Sequence, residues 1–120
     1  MSNPLPREWT FYVADMIRFA EKVSLYTRGM DRNDFVDNGI VYDATLRNLE
    51  LIGEAATKIP DAVRAANPMV PWRRSVATRN RLIHGYLGID DDTIWSIVRV
   101  DVPELLPPVD NDAGRGGVTR

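Results

Sequence analysis

Cysteine is absent from this sequence of 120 residues, and His84 is the only histidine. Without cysteine there can be no disulfide bond and no thiolate metal site, and the composition is more typical of a cytoplasmic protein than of a small secreted one. No apolar run approaches the roughly 20 residues of a membrane-spanning helix, and the first residues have neither the basic nor the apolar region of a signal peptide. The sequence therefore predicts a soluble cytoplasmic protein that needs no metal and no other cofactor.

Strand-like alternation of polar and apolar residues is also absent, and apolar residues instead recur at three- and four-residue steps. This spacing predicts long helices over about residues 7–28, 41–59, 71–87 and 94–102, with shorter helical pieces at 34–36 and 61–66. Gly29 and Pro60 are natural helix ends. Asp31 or Asn33 can cap the first short piece, and the acidic trio Asp90–Asp92 can cap the last long helix.

These elements predict an all-α fold, an antiparallel bundle of four to five helices in residues 1–106. Residues 107–120 consist largely of Pro, Gly, Asp and Arg, which are too polar to pack, and they predict a flexible C-terminal tail. Side chains on the apolar stripes are expected to form the core, among them Trp9, Met16, Ile52 and Trp95.

Acidic residues are missing from one stretch of the chain, between Asp61 and Asp90, although the net charge of the whole protein is −2. The same stretch contains His84 and five arginines: Arg64, Arg73, Arg74, Arg79 and Arg81. A solvated helix face is the simplest explanation of such clustering. The polar motif within the stretch favours a surface that binds phosphate groups.

The motif is the segment Arg79-Asn80-Arg81-Leu82-Ile83-His84-Gly85-Tyr86. Arginine is a permanent cation that suits phosphate, and histidine can move a proton near neutral pH, so the pattern predicts work on a phosphodiester. On a helix Asn80 and His84 share a face, and the amide can set the imidazole tautomer or hold a substrate oxygen. Arg79 and His84 point about 140° away from each other on an ideal helix. A lone histidine is nevertheless more often a surface residue or a satisfied core group.

Cleavage of RNA through its own 2′-hydroxyl needs more groups than one copy of the motif offers. A base takes the hydroxyl proton, an acid protonates the departing 5′-oxygen, and a cation offsets the charge on the phosphate. One histidine cannot easily perform both proton transfers. A two-fold dimer would place two copies of Arg79 and His84 in one cleft. Two other routes remain open: the arginine can reach around the helix, or the helix can end near Gly85 and turn the histidine.

The motif resembles the Arg-x4-His-x-Tyr motif of HepT-like toxins, a branch of the HEPN superfamily, and the similarity covers about residues 7–106. Three further segments look like that family: Arg47 to Ala55 like part of its second helix, Pro71 to Arg73 like the opening of its third, and Gly88 to Asp90 like the segment just after its motif. Thr78 and Leu87 depart from the family pattern, which has a larger apolar residue and an aromatic residue there. Neither belongs to the polar motif.

The resemblance implies a helical, metal-independent endoribonuclease that acts as a homodimer and is the toxin of a toxin–antitoxin pair. Its catalytic residues would be Arg79 and His84, with Asn80 and Arg81 in supporting positions. The antitoxin would be an MntA-like minimal nucleotidyltransferase, which transfers AMP from ATP to the tyrosine of the motif, here Tyr86. A negatively charged group so close to the motif would neutralise its arginines and block the cleft.

Two other functions fit parts of the pattern. The chain could be a non-catalytic dimeric module that binds a nucleotide or a nucleotidyltransferase and uses Arg79 only as an anchor. It could also be a structural dimerisation domain in which Glu54 and the arginines only make ion pairs. Neither alternative accounts for the four polar residues of the motif together. Cleavage of RNA by the purified protein in a chelator distinguishes the ribonuclease from both.

Overall fold

A computed structural model of the protein describes residues 8–84 and 89–107. Within these ranges the regular secondary structure is entirely helical, which confirms the predicted all-α class. The α-helices are α1 (Trp9–Tyr26), α2 (Arg32–Asp37), α3 (Gly39–Ala56), α4 (Asp61–Ala66), α5 (Trp72–Ile83), α6 (Asp91–Ser96) and α7 (Val102–Glu104), with a π-helical turn, Ile97–Asp101, between the last two. None of these described helices is long and apolar enough to cross a membrane.

Local signals determine how α1, α2 and α3 begin and end. Gly29 has a φ of 77°, so the chain turns after α1 through a left-handed conformation that other side chains rarely adopt. Asp31 caps α2 in a reciprocal capping box with Asp34. The side chain of Asn38 accepts a hydrogen bond from the Val41 N–H in the first turn of α3. α1 ends at Tyr26, two residues before the predicted end at Arg28, and the predicted cap at Asp31 is confirmed.

α3 is the central helix, because α1 and α5 both pack along it. α1 contributes Met16, Ala20 and Val23, whose spacing places them on one stripe of the helix. The core also buries the side chains of Phe35, Leu49, Ile52, Ile59, Ile94, Val98, Val102 and Leu105. The hydrophobic core is therefore built around α3 from elements at both ends of the described chain.

Polar contacts join α2 and α3 to the start of α6. Asp90 caps α6 by accepting a hydrogen bond of 2.7 Å from a backbone N–H in its first turn. The Tyr42 hydroxyl donates to Asp91 at 2.7 Å, and Arg32 forms an ion pair with Asp92. Burial, followed by the hydrogen bond to Asp91, raises the pKa of Tyr42 to about 12, so the phenol remains a donor at neutral pH. The acidic trio thus caps α6, as predicted, and also holds it against α2 and α3, which was not predicted.

Two predicted helix ends later in the chain are wrong, and one predicted helix is interrupted. The apolar stripe predicted a helix that continues to Ile59, but α3 ends at Ala56. The stripe extends further than the helix because the turn after α3 still buries Ile59 in the core. The last predicted helix is interrupted by the π-helical turn. The buried residues Ile94, Val98 and Val102 keep a four-residue spacing across it, so the apolar pattern does not reveal the change. α5 ends at Ile83, short of the predicted end at residue 87, which lies outside the described residues.

One predicted core residue is also wrong. Met16 and Ile52 are buried and Trp95 is half-buried against Phe35, but Trp9 is 40% exposed. Trp9 is the first residue of α1, and the buried residues of this helix begin only at Met16, so the indole lies beyond the part that packs on α3. The predicted tail stays a prediction, because residues 108–120 lie outside the described residues.

Candidate active site

α5 lies close to α3 because residue 53 of α3 is glycine. A Cβ atom on Gly53 would lie 2.2 Å from the Cβ of Arg79 and 2.5 Å from the carbonyl oxygen of Ser75. On α5, the small side chains of Ser75 and Thr78 are the buried ones. This close crossing brings the backbone of Arg79 against α3. Sequence reasoning misses the packing role of Gly53, although a glycine inside a predicted helix is itself a signal, since it costs helix stability.

Contacts with two neighbouring side chains hold the guanidinium of Arg79. Its Nη2 lies 2.8 Å from Oε1 of Glu54 on α3, and its Nη1 donates to Oδ1 of Asn80 at 2.9 Å. The third nitrogen, Nε, is buried and has no hydrogen-bond partner among the described residues. Unpaired buried donors are uncommon in folded proteins and require a specific reason, such as a role in function. The side chain is still 26% exposed, so the guanidinium is held in place and can also be reached from solvent.

His84 immediately follows the last residue of α5. Its side chain is exposed, and its backbone has φ −82° and ψ 0°. Along an ideal helix, Arg79 and His84 differ by about 140° in direction and about 7.5 Å in height. This ideal geometry places the two residues on different sides of one helix. An exposed imidazole at a helix end can meet groups that come from outside its own helix.

Asn80 and Arg81, the predicted supporting residues, have different surroundings. The Oδ1 of Asn80 is occupied by Arg79, whereas its Nδ2 has no hydrogen-bond partner among the described residues. Arg81 is exposed in the last turn of α5 and acts on Asp90 at the start of α6. The pKa of the Asp90 carboxyl is lowered first by the backbone hydrogen bond that it accepts within α6, and to a smaller extent by Arg81. Asn80 thus contacts Arg79 directly, and the charge of Arg81 acts on the carboxylate at the start of the next helix.

Tyr86 lies outside the described residues, but the structure describes the chain on both sides of it. Before it, α5 ends at Ile83. After it, the start of α6 is held to α3 and α2 through the carboxylates of Asp91 and Asp92.

A large surface cavity lies near the motif, but neither Arg79 nor His84 lines it. It has a volume of about 940 Å³ and lies between α4, the loop of residues 67–71 and one face of α5. Asn80 lines this cavity, so this residue belongs both to the motif and to the cavity wall. We call it the α4–α5 groove.

The described site offers a guanidinium held in place, an exposed imidazole and an amide within about one and a half turns of one helix. Such groups stabilise charge on a phosphate and transfer protons. Within residues 8–84 and 89–107, no group of three or more His, Cys, Asp or Glu side chains is arranged to hold a metal ion.

Comparison with protein families provides independent information about the whole chain. The model of one family, described as Ribonuclease HepT-like, matches residues 16–111 of this chain. The chain belongs to the HepT-like ribonuclease family. The matched range contains nearly all the described helices and the whole motif, so the resemblance to HepT-like proteins is confirmed.

Proteins with similar sequences carry ribonuclease names, and one of them is named HepT. A protein of Methanocaldococcus jannaschii named "Putative RNase" is 38% identical over 104 residues, which make up 87% of this chain and 95% of the relative. The "Probable ribonuclease HepT" of Thermococcus cleftensis is 35% identical over 94 residues, 78% of this chain and 86% of the relative. A "Putative RNase" of Caldanaerobacter subterraneus is 31% identical over 105 residues, 88% and 89% of the two chains. No solved structure matches this chain.

Proposed function

We propose that this protein is a metal-independent endoribonuclease and the toxin of a toxin–antitoxin pair, with Arg79 and His84 as its catalytic residues. The main support for the proposal is that Glu54 and Asn80 hold the guanidinium of Arg79 in place on α5. The exposed His84 follows directly after this helix. Membership of the HepT-like family and the ribonuclease names of the relatives support RNA as the substrate.

In the proposed reaction, the imidazole of His84 takes the proton of an RNA 2′-hydroxyl, and that oxygen attacks the adjacent phosphorus. The bond from phosphorus to the 5′-oxygen breaks, and a second imidazole protonates the departing oxygen. The products are a 2′,3′-cyclic phosphate and a 5′-hydroxyl. Arg79 stabilises the charge on the non-bridging phosphate oxygens, and its contacts with Glu54 and Asn80 limit the reorganisation that this requires.

The second imidazole in this scheme comes from a second copy of the chain. His84 is the only histidine in the sequence, and one copy of α5 presents it about 140° away from Arg79. A two-fold dimer that brings both α5 helices together supplies two guanidiniums and two imidazoles to one cleft. We therefore include a homodimer in the proposal.

Removal of the imidazole tests the catalytic assignment. His84→Ala is expected to lower RNA cleavage at least about 100-fold, because acid–base catalysis contributes about 10² to 10⁴ per group. Helical content and elution volume should not change, since the side chain is exposed. Cleavage is measured on labelled RNA in EDTA, and the product ends are analysed for the cyclic phosphate.

Arg28→Ala is a suitable control, because Arg28 is exposed in the turn after α1 and does not belong to the motif. It should cut RNA at the parental rate. Cleavage by His84→Ala at the parental rate would show that the catalytic assignment is wrong. A parent that binds its partner but cuts no RNA in EDTA would instead be the non-catalytic binding module.

We further propose that an MntA-like minimal nucleotidyltransferase is the antitoxin and silences the nuclease at Tyr86. The tyrosine oxygen attacks the α-phosphorus of ATP, pyrophosphate leaves, and AMP remains on the phenol. Membership of the HepT-like family and the position of Tyr86, two residues after His84, support this regulation. Each added phosphodiester carries about one negative charge and competes with the RNA backbone for the same cations.

Tyr86→Phe tests the regulation, because it keeps the ring and removes the acceptor oxygen. The variant should remain a nuclease but gain no mass when it is incubated with the nucleotidyltransferase and ATP. Mass spectrometry and RNA cleavage are followed on the same samples, with the parent as the control. Modification and inactivation of Tyr86→Phe to the parental extent would place the modified residue elsewhere in the chain.

A further inference from the structure

The α4–α5 groove has a volume of about 940 Å³ and is separate from the guanidinium of Arg79. Its floor and walls include Arg64 on α4, Met69 in the loop and Arg73 and Asn80 on α5. The two acidic side chains that also line it are each paired with an arginine of the groove. Because Asn80 belongs both to the groove and to the motif, a ligand in the groove lies next to the candidate active site.

One face of α5 runs from the groove to the end of the helix. Arg73, Asn80 and His84 lie within about 40° of one another around an ideal helix. The eleven residue-to-residue steps from Arg73 to His84 correspond to about 16 Å along the axis. That length fits several nucleotides at the rise of about 3.4 Å for each nucleotide in a stacked strand. A strand that runs along this face can therefore contact Arg73 and still reach His84.

The cations of the groove differ in how available they are. Arg74 is bound by Asp101 at 3.2 Å and by Glu104 at 2.8 Å, so its charge is already compensated. Among the described residues, Arg64 pairs only with the highly exposed side chain of Asp61, at 2.9 Å and three residues earlier on the same helix, and such pairs are weak. Arg73 is exposed and forms no ion pair with any of the described residues. Of the three arginines, Arg73 can therefore bind an anion with the smallest loss of free energy, because no ion pair with a described residue has to break.

The amide of Asn80 has its orientation set by Arg79. Because Oδ1 accepts the hydrogen bond from Nη1 of Arg79, the amide presents Nδ2 as its donor. This donor has no hydrogen-bond partner among the described residues, and Asn80 lines the groove. A hydrogen-bond donor of this kind suits a phosphate oxygen or a ribose hydroxyl oxygen.

We propose that the α4–α5 groove is a substrate-binding subsite that holds the sugar–phosphate backbone of single-stranded RNA next to the bond to be cut. Arg73 contacts a phosphate several nucleotides from the cleavage point, and Asn80 Nδ2 donates to a backbone oxygen close to it. The inference rests on the proposed nuclease function. It adds that affinity for long RNA comes from residues outside the catalytic motif, without sequence specificity, since phosphate contacts do not read bases.

Binding is tested in a His84→Ala background, so that the probe stays intact. The probe is a fluorescent 12-nucleotide RNA of mixed sequence, and its Kd is measured by anisotropy at several salt concentrations. Adding Arg73→Ala should raise the Kd about tenfold at low salt, as expected for loss of one charge-assisted contact. The slope of log K against log salt should fall by about 0.7, the value for one phosphate contact on a single strand. Arg73→Lys should retain most of the affinity.

Two controls separate RNA from a protein as the occupant of the groove. Arg28→Ala removes an exposed arginine from the turn after α1, outside the groove, and should leave both the Kd and the salt slope unchanged. Ile40→Ala removes an 83% exposed apolar side chain that does not line the groove and should also leave RNA binding unchanged. If Arg73→Ala leaves RNA binding at the parental level but weakens retention of the nucleotidyltransferase, the groove is a protein interface and the proposal is overturned.

A kinetic comparison distinguishes this inference from the proposed function itself. In the active protein, Arg73→Ala should lower kcat/KM about tenfold for a 12-nucleotide RNA and leave cleavage of a dinucleotide unchanged, because a dinucleotide cannot span from His84 to Arg73. Equal losses for both substrates, or no loss for either, would overturn the subsite while the nuclease stands. If the parent cuts neither substrate but its RNA binding still depends on Arg73, the nuclease function is disproved. The groove would then still be a site that binds RNA.

Discussion

Among single residues, Glu54 decides where the guanidinium of Arg79 points. The pair has an Nη2–Oε1 distance of 2.8 Å, and the Glu54 side chain is 48% exposed. Exposed ion pairs contribute only about 0 to 1 kcal/mol to the free energy of unfolding, because water and salt screen them. The main effect of Glu54 is therefore to orient Arg79, and its contribution to stability is small.

Glu54→Ala is expected to lower kcat for RNA cleavage about tenfold, with a change of less than about 1 kcal/mol in the free energy of unfolding. Glu54→Gln keeps an acceptor for Arg79 without the charge and should have intermediate activity. Steady-state cleavage and urea unfolding give the two quantities. Glu50→Ala is the matched control, because Glu50 lies one turn earlier on α3 and pairs with Arg47 instead. Equal activities for the Glu54→Ala and Glu50→Ala variants would contradict the positioning role.

Among the helices, the crossing of α3 and α5 depends on a single missing side chain. At Gly53 an added Cβ would overlap the Cβ of Arg79 and approach the backbone of Ser75, and backbone atoms cannot move aside alone. The two helices would have to separate, which disturbs the packing on α3 and moves Arg79 away from Glu54. Stability and site geometry are therefore coupled at this position.

Gly53→Ala is expected to lower the free energy of unfolding by about 1 to 3 kcal/mol, the usual cost of overpacking a well-packed contact, and to reduce RNA cleavage as well. Gly39→Ala provides the control, since an added Cβ there meets no atom within 4 Å. That variant should be as stable as the parent or more stable by up to about 1 kcal/mol, because alanine favours helix. Urea unfolding of both variants gives the comparison, and equal stabilities would show that α3 and α5 can separate at no cost.

At the scale of the whole molecule, the proposed active site requires two copies of the chain. Arg79→Ala and His84→Ala homodimers each lack one kind of group and should cut RNA very slowly. When the two variants are unfolded together and refolded, the mixed dimers contain one intact Arg79 and one intact His84 on different chains. Because they contain a single imidazole, they should regain only a small fraction of the parental cleavage, above that of either homodimer, if the groups act across the interface. Analytical ultracentrifugation of the parent gives the state of assembly, and full activity of a monomer would disprove the composite site.

Signals that act over a few residues made much of the fold predictable from the sequence. The short helix Asp61–Ala66 has the bounds that Pro60 and the prolines after it predict, and Gly29 and Asp31 act as the turn and the cap that their chemistry favours. The motif containing Arg79 and His84 also lies within one short segment, so the types and spacing of its residues indicate its chemistry. Backbone preferences and capping hydrogen bonds involve only neighbouring residues, so one sequence is enough to identify them.

Contacts between distant segments were decided only by the tertiary structure. Gly53 and Arg79, Tyr42 and Asp91, and Arg32 and Asp92 are pairs of residues far apart in the chain that meet only after the helices pack. The π-helical turn Ile97–Asp101 leaves no mark on the apolar spacing, and the exposure of Trp9 depends on where the contact between α1 and α3 begins. The sequence by itself determined the helices, their caps and the reactive groups, whereas packing decided how those groups are oriented, because orientation depends on side chains that other helices contribute.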